Sequence, residues 1–232
     1  MHKMIEEEKA LKASYDSRFL EDYLGGSMSN DPITAIVELI ANAWDAGSRN
    51  VKITWPQNED DLFSVVDDGH GLTAEQFSER WTKLSYNRLE NQGSGAFIPE
   101  DNNIPNKRNV YGRNGKGRFS AFCFGSNTYF VETKTAQSHF CYKVQKSTGQ
   151  NPLLYSEADL PEPSFVTHQT HGTAVYIEKA AHIGIPEDKI RSEIGKKVEN
   201  VPFLKDFNVT EFLENNTVES LEQFTLDEAV NN

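Results

Sequence analysis

Glu38, Asn42 and Asp45 stand at i, i+4 and i+7 of a segment, Asp31 to Ser48, that also carries Asp31 and Thr34 and has no lysine or arginine. At about 100° per residue the three fall within roughly 60° of one another on one helix face. A solvated helix face ordinarily mixes Lys with Glu, because opposite charges four residues apart support each other. Acids and an amide among the small residues Ala35, Ala41 and Ala46 instead suit a face that meets something positive, or one that holds a water for a reaction. A wet surface stripe is the alternative for this helix taken alone.

A second group lies where the apolar run Leu62–Val66 meets Asp67-Asp68-Gly69-His70-Gly71. Glycines at +2 and +4 from a strand-end acid let backbone approach a flat ligand. A buried carboxylate there accepts a hydrogen bond from the exocyclic amine of adenine. Guanine presents a carbonyl at that edge, so one Asp selects the base; a buried polar group left unpaired costs about 1–3 kcal/mol. An ordinary Asp-Gly turn is the alternative. The third group is Gly112-Arg113-Asn114-Gly115-Lys116-Gly117-Arg118, opening a predicted helix. Amides at such an end point at an anion, and the helix dipole adds to this. Lys107–Arg118 holds five basic residues and no acid in a chain of net charge −12, which points to phosphate rather than DNA. A Walker A loop fails, since Gly117 follows Gly115-Lys116 and Val110 takes the first glycine's place; a dinucleotide fingerprint fails at Ser120. Fourth, Gly172-Thr173 enters an apolar strand, where the hydroxyl either reaches a ligand, directly or through water, or marks a simple strand start.

The elements that must position these residues are legible from periodicity. Ile33, Ile36, Ile40, Ala43 and Trp44 form the core face of the first helix, Asp31 caps it, Pro32 takes its first position and Gly47 ends it. Upstream, Glu6–Tyr23 predicts a helix closed by Gly25-Gly26. Val51–Trp55 and Leu62–Val66 predict strands around the acidic turn Asn58–Asp61, and Thr73–Ser85 predicts a helix with Phe77, Trp81 and Leu84 on one face. From Tyr86 to Val110 periodicity fails, and a stretch of that length is a functional lid or disordered. A helix at Gly115–Phe124, strands at Thr128–Lys134, His139–Lys146 and Ala174–Glu178, and an irregular stretch at Leu153–Val166 follow. A helix over Pro186–Glu199 and an extended segment near Phe207–Phe212 precede 20 acidic, weakly patterned residues.

Two hundred and thirty-two residues, 37% hydrophobic and 25% charged, describe a soluble globular protein of one domain, with or without appendages. The net charge of −12 argues against nucleic acid or an anionic membrane as partner of the segment as a whole. No apolar run approaches the roughly 18 residues of a membrane span, and the N-terminus lacks the apolar core of a secretion signal. Cys123 and Cys141 sit in apolar segments and read as buried free thiols of a reducing cytoplasm. No Cys/His cluster has zinc spacing.

Taken in order, Glu38-x-x-x-Asn42-Ala43-x-Asp45-Ala46, Asp67-x-Gly69-x-Gly71, Gly112-x-x-Gly115-x-Gly117 and Gly172-Thr173 resemble the nucleotide-binding domain of the GHKL superfamily, over about Asp31–Glu178. That group includes gyrase, the ninety-kilodalton heat-shock chaperone, sensor histidine kinases, MutL-type repair proteins and MORC proteins. The resemblance implies an α/β two-layer sandwich, the Bergerat fold, with a mixed sheet covered on one face by helices and ATP held between helices and a lid at 86–110. It divides the chain into an extension at 1–30, a nucleotide-binding domain at 31–180 and a tail at 181–232 leading into a further domain.

By the same resemblance, Glu38 is the general base that activates water and Asn42 the Mg²⁺ ligand, with Asp45 orienting that shell or a bridging water. Asp67 reads adenine with help from Thr173, Gly69 and Gly71 give room, and Ala46 and Leu72 stand beside them. Gly112, Gly115 and Gly117 offer amides to the phosphates in company with Arg113, Asn114 and Lys116, and Ser85 and Arg88 fall at the lid edge. The implied function is a Mg²⁺-dependent ATPase whose lid closure drives homodimerisation or engagement of a protein partner. Many relatives draw a γ-phosphate lysine from a following domain, and Lys205 is the last lysine here, so slow turnover is expected of the segment alone. An ATP-sensing switch without hydrolysis, a histidine-kinase catalytic domain and a non-nucleotide interaction domain are the alternatives; only His2 lies upstream as a phosphoacceptor. The 25-residue spacing from Asn42 to Asp67 is like that of MutL- and MORC-like members, hinting by analogy at a DNA-associated or defence role.

Overall fold

The computed structural model describes residues 18–24, 31–102, 104, 108–112, 115–125, 127–147, 151–181, 184–185, 189, 192–193, 196, 208–213 and 222–225. Helix α1 spans Phe19–Leu24 and α2 spans Pro32–Asp45. The Asp31 side chain accepts from the amides of Ile33 and Thr34, satisfying two donors that a helix start leaves bare. Gly47, at φ +71°, turns the chain out of α2. The apolar face foreseen for this helix is buried, with Ile36 and Ile40 fully enclosed.

Among the described residues eight strands form one sheet: β1 Asn50–Trp55, β2 Asp61–Asp67, β3 Thr128–Lys134, β4 His139–Lys146, β5 Leu153–Ala158, β6 Gly172–Ala180, β7 Asn208–Leu213 and β8 Glu222–Thr225. Their order is β5-β4-β3-β6-β2-β1-β7-β8, antiparallel at every pairing except the parallel β1–β7. The sheet is therefore mixed. Alternation sorts its two faces. Val65, Val175 and Val131 share one row, as do Val66, Ala174 and Glu132 on the other side.

The helices cover the first of these faces. A 3₁₀ helix over Gly117–Phe124 lies against α2, and its Phe124 stacks on Phe63 at 3.7 Å between centroids. Helix α3, Ala74–Trp81, adds a layer in which Phe77 stacks on Trp81 and Tyr142, and Tyr155 donates to the Trp81 carbonyl at 2.7 Å. On the opposite face the segment after β5 is pinned by side chains. Buried Glu132 accepts from His139, from the Ser164 hydroxyl and from the Phe165 amide, while Lys134 reaches the carbonyls of Val166 and Thr167.

Four local expectations need correction. The helix expected over Thr73–Ser85 stops at Trp81: Thr82 turns its hydroxyl back onto the Ser78 carbonyl, and Ser85 takes φ +55°, which no helix accommodates. The irregular stretch at Leu153–Val166 contains a full strand up to Ala158, after which Pro161 and Pro163 fall in irregular backbone. The aperiodic segment 86–110 holds helix α4 at Arg88–Gln92, capped by Asn87, a 3₁₀ turn at Glu100–Asn102 and a bridge between Gly95 and Asn109. Its order comes from side chains that no period encodes. The weakly patterned tail supplies β8.

Most of the N-terminal helix expected at Glu6–Tyr23 lies outside the described residues. So does most of Pro186–Glu199, whose described positions Lys189, Ser192, Glu193 and Lys196 are helical.

Candidate functional site

A cleft of about 590 Å³ opens between α2, the ends of β2 and β6, α3–α4 and the glycine segment. That volume suits a ligand of nucleotide size. Glu38, Asn42, Asp45, Ala46, Asp67, Gly71, Leu72, Gly112, Gly115, Lys116, Gly117 and Thr173 all line it. Residues from four separate motifs, up to 135 positions apart, thus meet in one cavity. Gly69 and Ser85 are not among the lining groups. Arg113 and Asn114 lie outside the described residues.

At the inner end, register places Asp67 opposite Thr173, and Thr173 opposite Thr133. Asp67 accepts from the Gly69 amide at 2.8 Å, and burial pushes its carboxyl up to about 7 against that bond. Thr133 accepts from the Leu72 amide at 2.9 Å and lies 3.2 Å from the Thr173 hydroxyl, so it holds the loop onto the strand. Gly71 sits at φ +65° with the Lys134 carbonyl 2.0 Å from where a Cβ would stand, so no side chain is tolerated. Gly69 instead packs on α2, a Cβ there coming within 2.6 Å of Ala46.

At the other end Glu38 and Asn42 project from one face of α2 toward Gly117. A Cβ on Gly117 would stand 2.6 Å from Glu38 Oε2 and 3.5 Å from Asn42 Oδ1, so a side chain there would displace the Glu38 carboxylate. Burial, and then the nearby Asp45 charge, raise the Glu38 carboxyl above its usual range. A base in a half-buried site thereby gains proton affinity. The helix expected from Gly115 starts instead at Gly117, because Gly115 is in the left-handed region at φ +59°, and it is 3₁₀ through to Phe124.

Asp45 serves a role that spacing did not reveal. Its carboxylate accepts from the amides of Tyr111 at 2.7 Å and Gly112 at 2.9 Å, and Arg88 lies 3.9 Å away. Arg88 also donates to the Asp45 carbonyl at 2.8 Å. The residue fastens the glycine segment to the end of α2. Two of the five clustered basic residues also make structural contacts, Arg118 while lining the cleft. Arg108 lies 4.0 Å over Trp44 and donates to the Ser48 carbonyl, and buried Arg118 donates to Lys83's carbonyl and sits over Phe119. Lys116 remains in the cleft, 4.6 Å over Tyr23. Ser85 donates its amide to the Tyr23 hydroxyl and so ties α1 to the rim.

Several lining groups lacked a motif to mark them: Arg80, Tyr86, Gln92, Tyr111 and His70. Burial drives His70 down to about 4, so it is neutral near pH 7. Asp68, next to Asp67, faces away and ties α2 to β1 by accepting from the Ser48 hydroxyl and the amides of Arg49 and Asn50.

The segment 97–102 is clasped to the Asp67–Gly71 loop. His171 Nδ1 lies 2.7 Å from the Gly69 carbonyl and its Nε2 2.8 Å from Asp101, while Asn102 donates to the carbonyls of Gly47 and Asp68. Burial opposes charge on His171, but the bonds to Asp101 and Gly69 outweigh it and hold its pKa above the usual imidazole value; Asp101, bonded to His171, is held low. Asp67 and His70 are the other titratable side chains near it. A raised imidazole stabilises fully below its ordinary value near pH 6.5 and loses that contribution as pH rises through the folded value. The difference in melting temperature between wild type and Asp101→Asn is therefore expected to be larger at pH 6 than at pH 9. A difference constant across that range would mean that the neutral imidazole suffices.

With fold and cleft in place, comparison with known proteins assigns the class. The chain belongs to the histidine kinase-, DNA gyrase B- and HSP90-like ATPase family, whose model matches residues 30–173. Its two-layer architecture is the one that the motif resemblance implied. HgiDII of Herpetosiphon aurantiacus, which carries the name of a candidate type II restriction enzyme, is 21% identical over 181 residues, 76% of this chain and 27% of its own length. The DNA mismatch repair protein MutL of Syntrophomonas wolfei is 31% identical over 68 residues, 29% of this chain and 12% of its own. The chain thus spans about a quarter or less of these curated relatives. The MutL ATPase domain of Aquifex aeolicus complexed with ADP, a solved structure, is similar over 87% of this chain and 67% of that one, at 16% identity and a TM-score of 0.43.

Proposed function

We propose that residues 31–180 bind and hydrolyse ATP with Mg²⁺, and that closure of segment 86–110 over the nucleotide controls homodimerisation or engagement of a protein partner or further domain. The observation that carries this reading is the polarity of the cleft: Asp67 and Thr173 at one end, Glu38 and Asn42 against Gly117 at the other. Adenine donates its exocyclic amine to Asp67 while Leu72, Val65 and Val175 supply apolar surface. The phosphates run along the glycine segment toward α2, with Lys116 balancing charge. Glu38 takes the proton of a water attacking the terminal phosphate, and its environment suits it to that task.

Among the described residues no three His, Cys, Asp or Glu side chains gather to hold a metal. That fits Mg²⁺, which Asn42 would hold together with phosphate oxygens and water; the bound ion would neutralise triphosphate charge. The free thiols of Cys123 and Cys141 support a cytoplasmic setting, and no described helix is long and apolar enough to cross a membrane. The names of HgiDII and MutL support a place in a DNA-associated protein, while the net charge of −12 argues that this module does not itself hold the nucleic acid.

Calorimetric titration of Mg²⁺ with a non-hydrolysable ATP analogue, and with its GTP counterpart, tests the reading on the 232-residue chain. Saturable binding of the adenine nucleotide alone is expected. Equal binding of both removes the role given to Asp67, and binding of neither removes the function.

A further inference from the structure

The wall formed by α3 and α4 carries more positive charge than the chain neutralises. Arg80, in the last turn of α3, lines the cleft half-buried and makes no hydrogen bond or ion pair among the described residues. Arg88, opening α4, lines the same wall; its terminal nitrogens engage Asp45, but its Nε is buried without an acceptor. Burial weakens the charged form of Arg80 most, Tyr86 favours it, and the Arg88 charge weakens it further. Glu79 lies near enough to favour the charge without forming an ion pair. Like charges held together in a partly desolvated wall are costly unless something anionic comes between them.

Placement says which anion. His70, in the loop after Asp67, and Tyr86, whose carbonyl faces Gly115, both lie near Arg80, whereas Glu38, Asn42 and Gly117 mark the far end. Arg80 therefore stands between the base end and the glycine segment, where the first charge a nucleotide offers is the phosphate joined to its ribose. We propose that Arg80, supported by Arg88, grips this first phosphate, the group that ATP, ADP and AMP share. The planar guanidinium offers paired donors that match two phosphate oxygens, which an ammonium cannot reproduce. This rests on the nucleotide reading of the cleft and deepens it: recognition requires a nucleoside 5′-phosphate, and the hydrolysis product keeps the contact that the substrate makes.

The test measures binding of ATP, ADP, AMP and adenosine to the full chain, by calorimetry or ligand-observed NMR, in wild type, Arg80→Gln and Arg80→Lys. Expected for Arg80→Gln is a loss of about tenfold or more for the three phosphorylated ligands, as for removal of a charge-assisted contact, with adenosine almost unchanged. Arg80→Lys recovers part of it. An equal loss for adenosine would place Arg80 on the nucleoside, and a loss confined to ATP would place it on the terminal phosphate; either overturns the proposal. Unchanged affinities in a variant whose wild type binds normally overturn it too, leaving the nucleotide site intact. A wild type that binds none of the four overturns both.

Discussion

Glu38→Gln is expected to lower ATP turnover by about 10²–10⁴-fold, the range typical of removing a positioned general base, while binding of an ATP analogue is kept. The substitution preserves the size of the side chain, so the close approach of Gly117 to α2 survives. It removes the group whose proton affinity burial and Asp45 have raised. It also removes a negative charge from the end of the cleft that receives the terminal phosphate, so affinity should hold or rise. Phosphate release under single- and multiple-turnover conditions, read beside calorimetric binding, separates the two effects. Turnover retained with binding would transfer the base to another group, and the ATP-sensing alternative would gain if wild type itself showed no turnover.

The parts of this site that were legible in the sequence are those whose physics is local. Helix α2 announces itself through the Asp31 cap, the Pro32 start and a 3.6-residue apolar period, and the same period puts Glu38 and Asn42 on one face. Strand β2 ends in an acid because the run Leu62–Val66 is apolar up to the point where the chain must turn. Glycines mark close approaches, and Gly71 and Gly117 are indeed where backbone meets carbonyl or carboxylate.

Functions set by distant partners were not legible. Asp45 shares a stripe with Glu38, yet its carboxylate belongs to two amides 66 and 67 residues on. Arg108 reads as a phosphate ligand by charge but packs outside the cleft, over Trp44 and onto the Ser48 carbonyl, whereas Arg118 packs on Phe119 and holds the Lys83 carbonyl while still lining the cleft. The order in segment 86–110 depends on Asn102, Arg108 and His171 reaching across the fold, so no window of sequence could show it. Arg80 lay in a helix noted only for its apolar face.

These placements give segment 86–110 two anchors of different kinds. Its later part is tied to α2 and to the loop after β2 through Asn102, Arg108 and the His171–Asp101 pair. Its start is tied through Arg88 to Asp45, and Asp45 in turn holds Tyr111 and Gly112. One carboxylate thus connects the beginning of the segment with the glycines that follow it.

Asp67→Asn is expected to weaken adenine-nucleotide binding strongly and to make the empty protein more stable at alkaline pH. In the cleft without ligand, burial holds the carboxyl near 7, well above its unfolded value near 4. Folding therefore favours the neutral acid. Such a group is harmless below about pH 4, and its stabilising protonation is lost as pH climbs through 7, leaving a buried charge that costs the fold on the order of 1–3 kcal/mol. Asparagine is neutral at every pH and still offers an oxygen to the Gly69 amide. Its advantage should be absent near pH 4, grow between pH 4 and 7, and reach several degrees of melting temperature at pH 8. The same change presents a donor or a weakened acceptor to the exocyclic amine and erases the preference against guanine. Thermal unfolding at pH 5 and pH 8, paired with ATP- and GTP-analogue titrations, reads both consequences. A variant less stable than wild type at pH 8 would mean that other groups already compensate the carboxylate in the empty cleft. A variant that still prefers adenine would mean that Thr173 or the backbone reads the base. Stability gained together with selectivity lost would identify Asp67 as a residue kept at the expense of the fold because the ligand needs its charge.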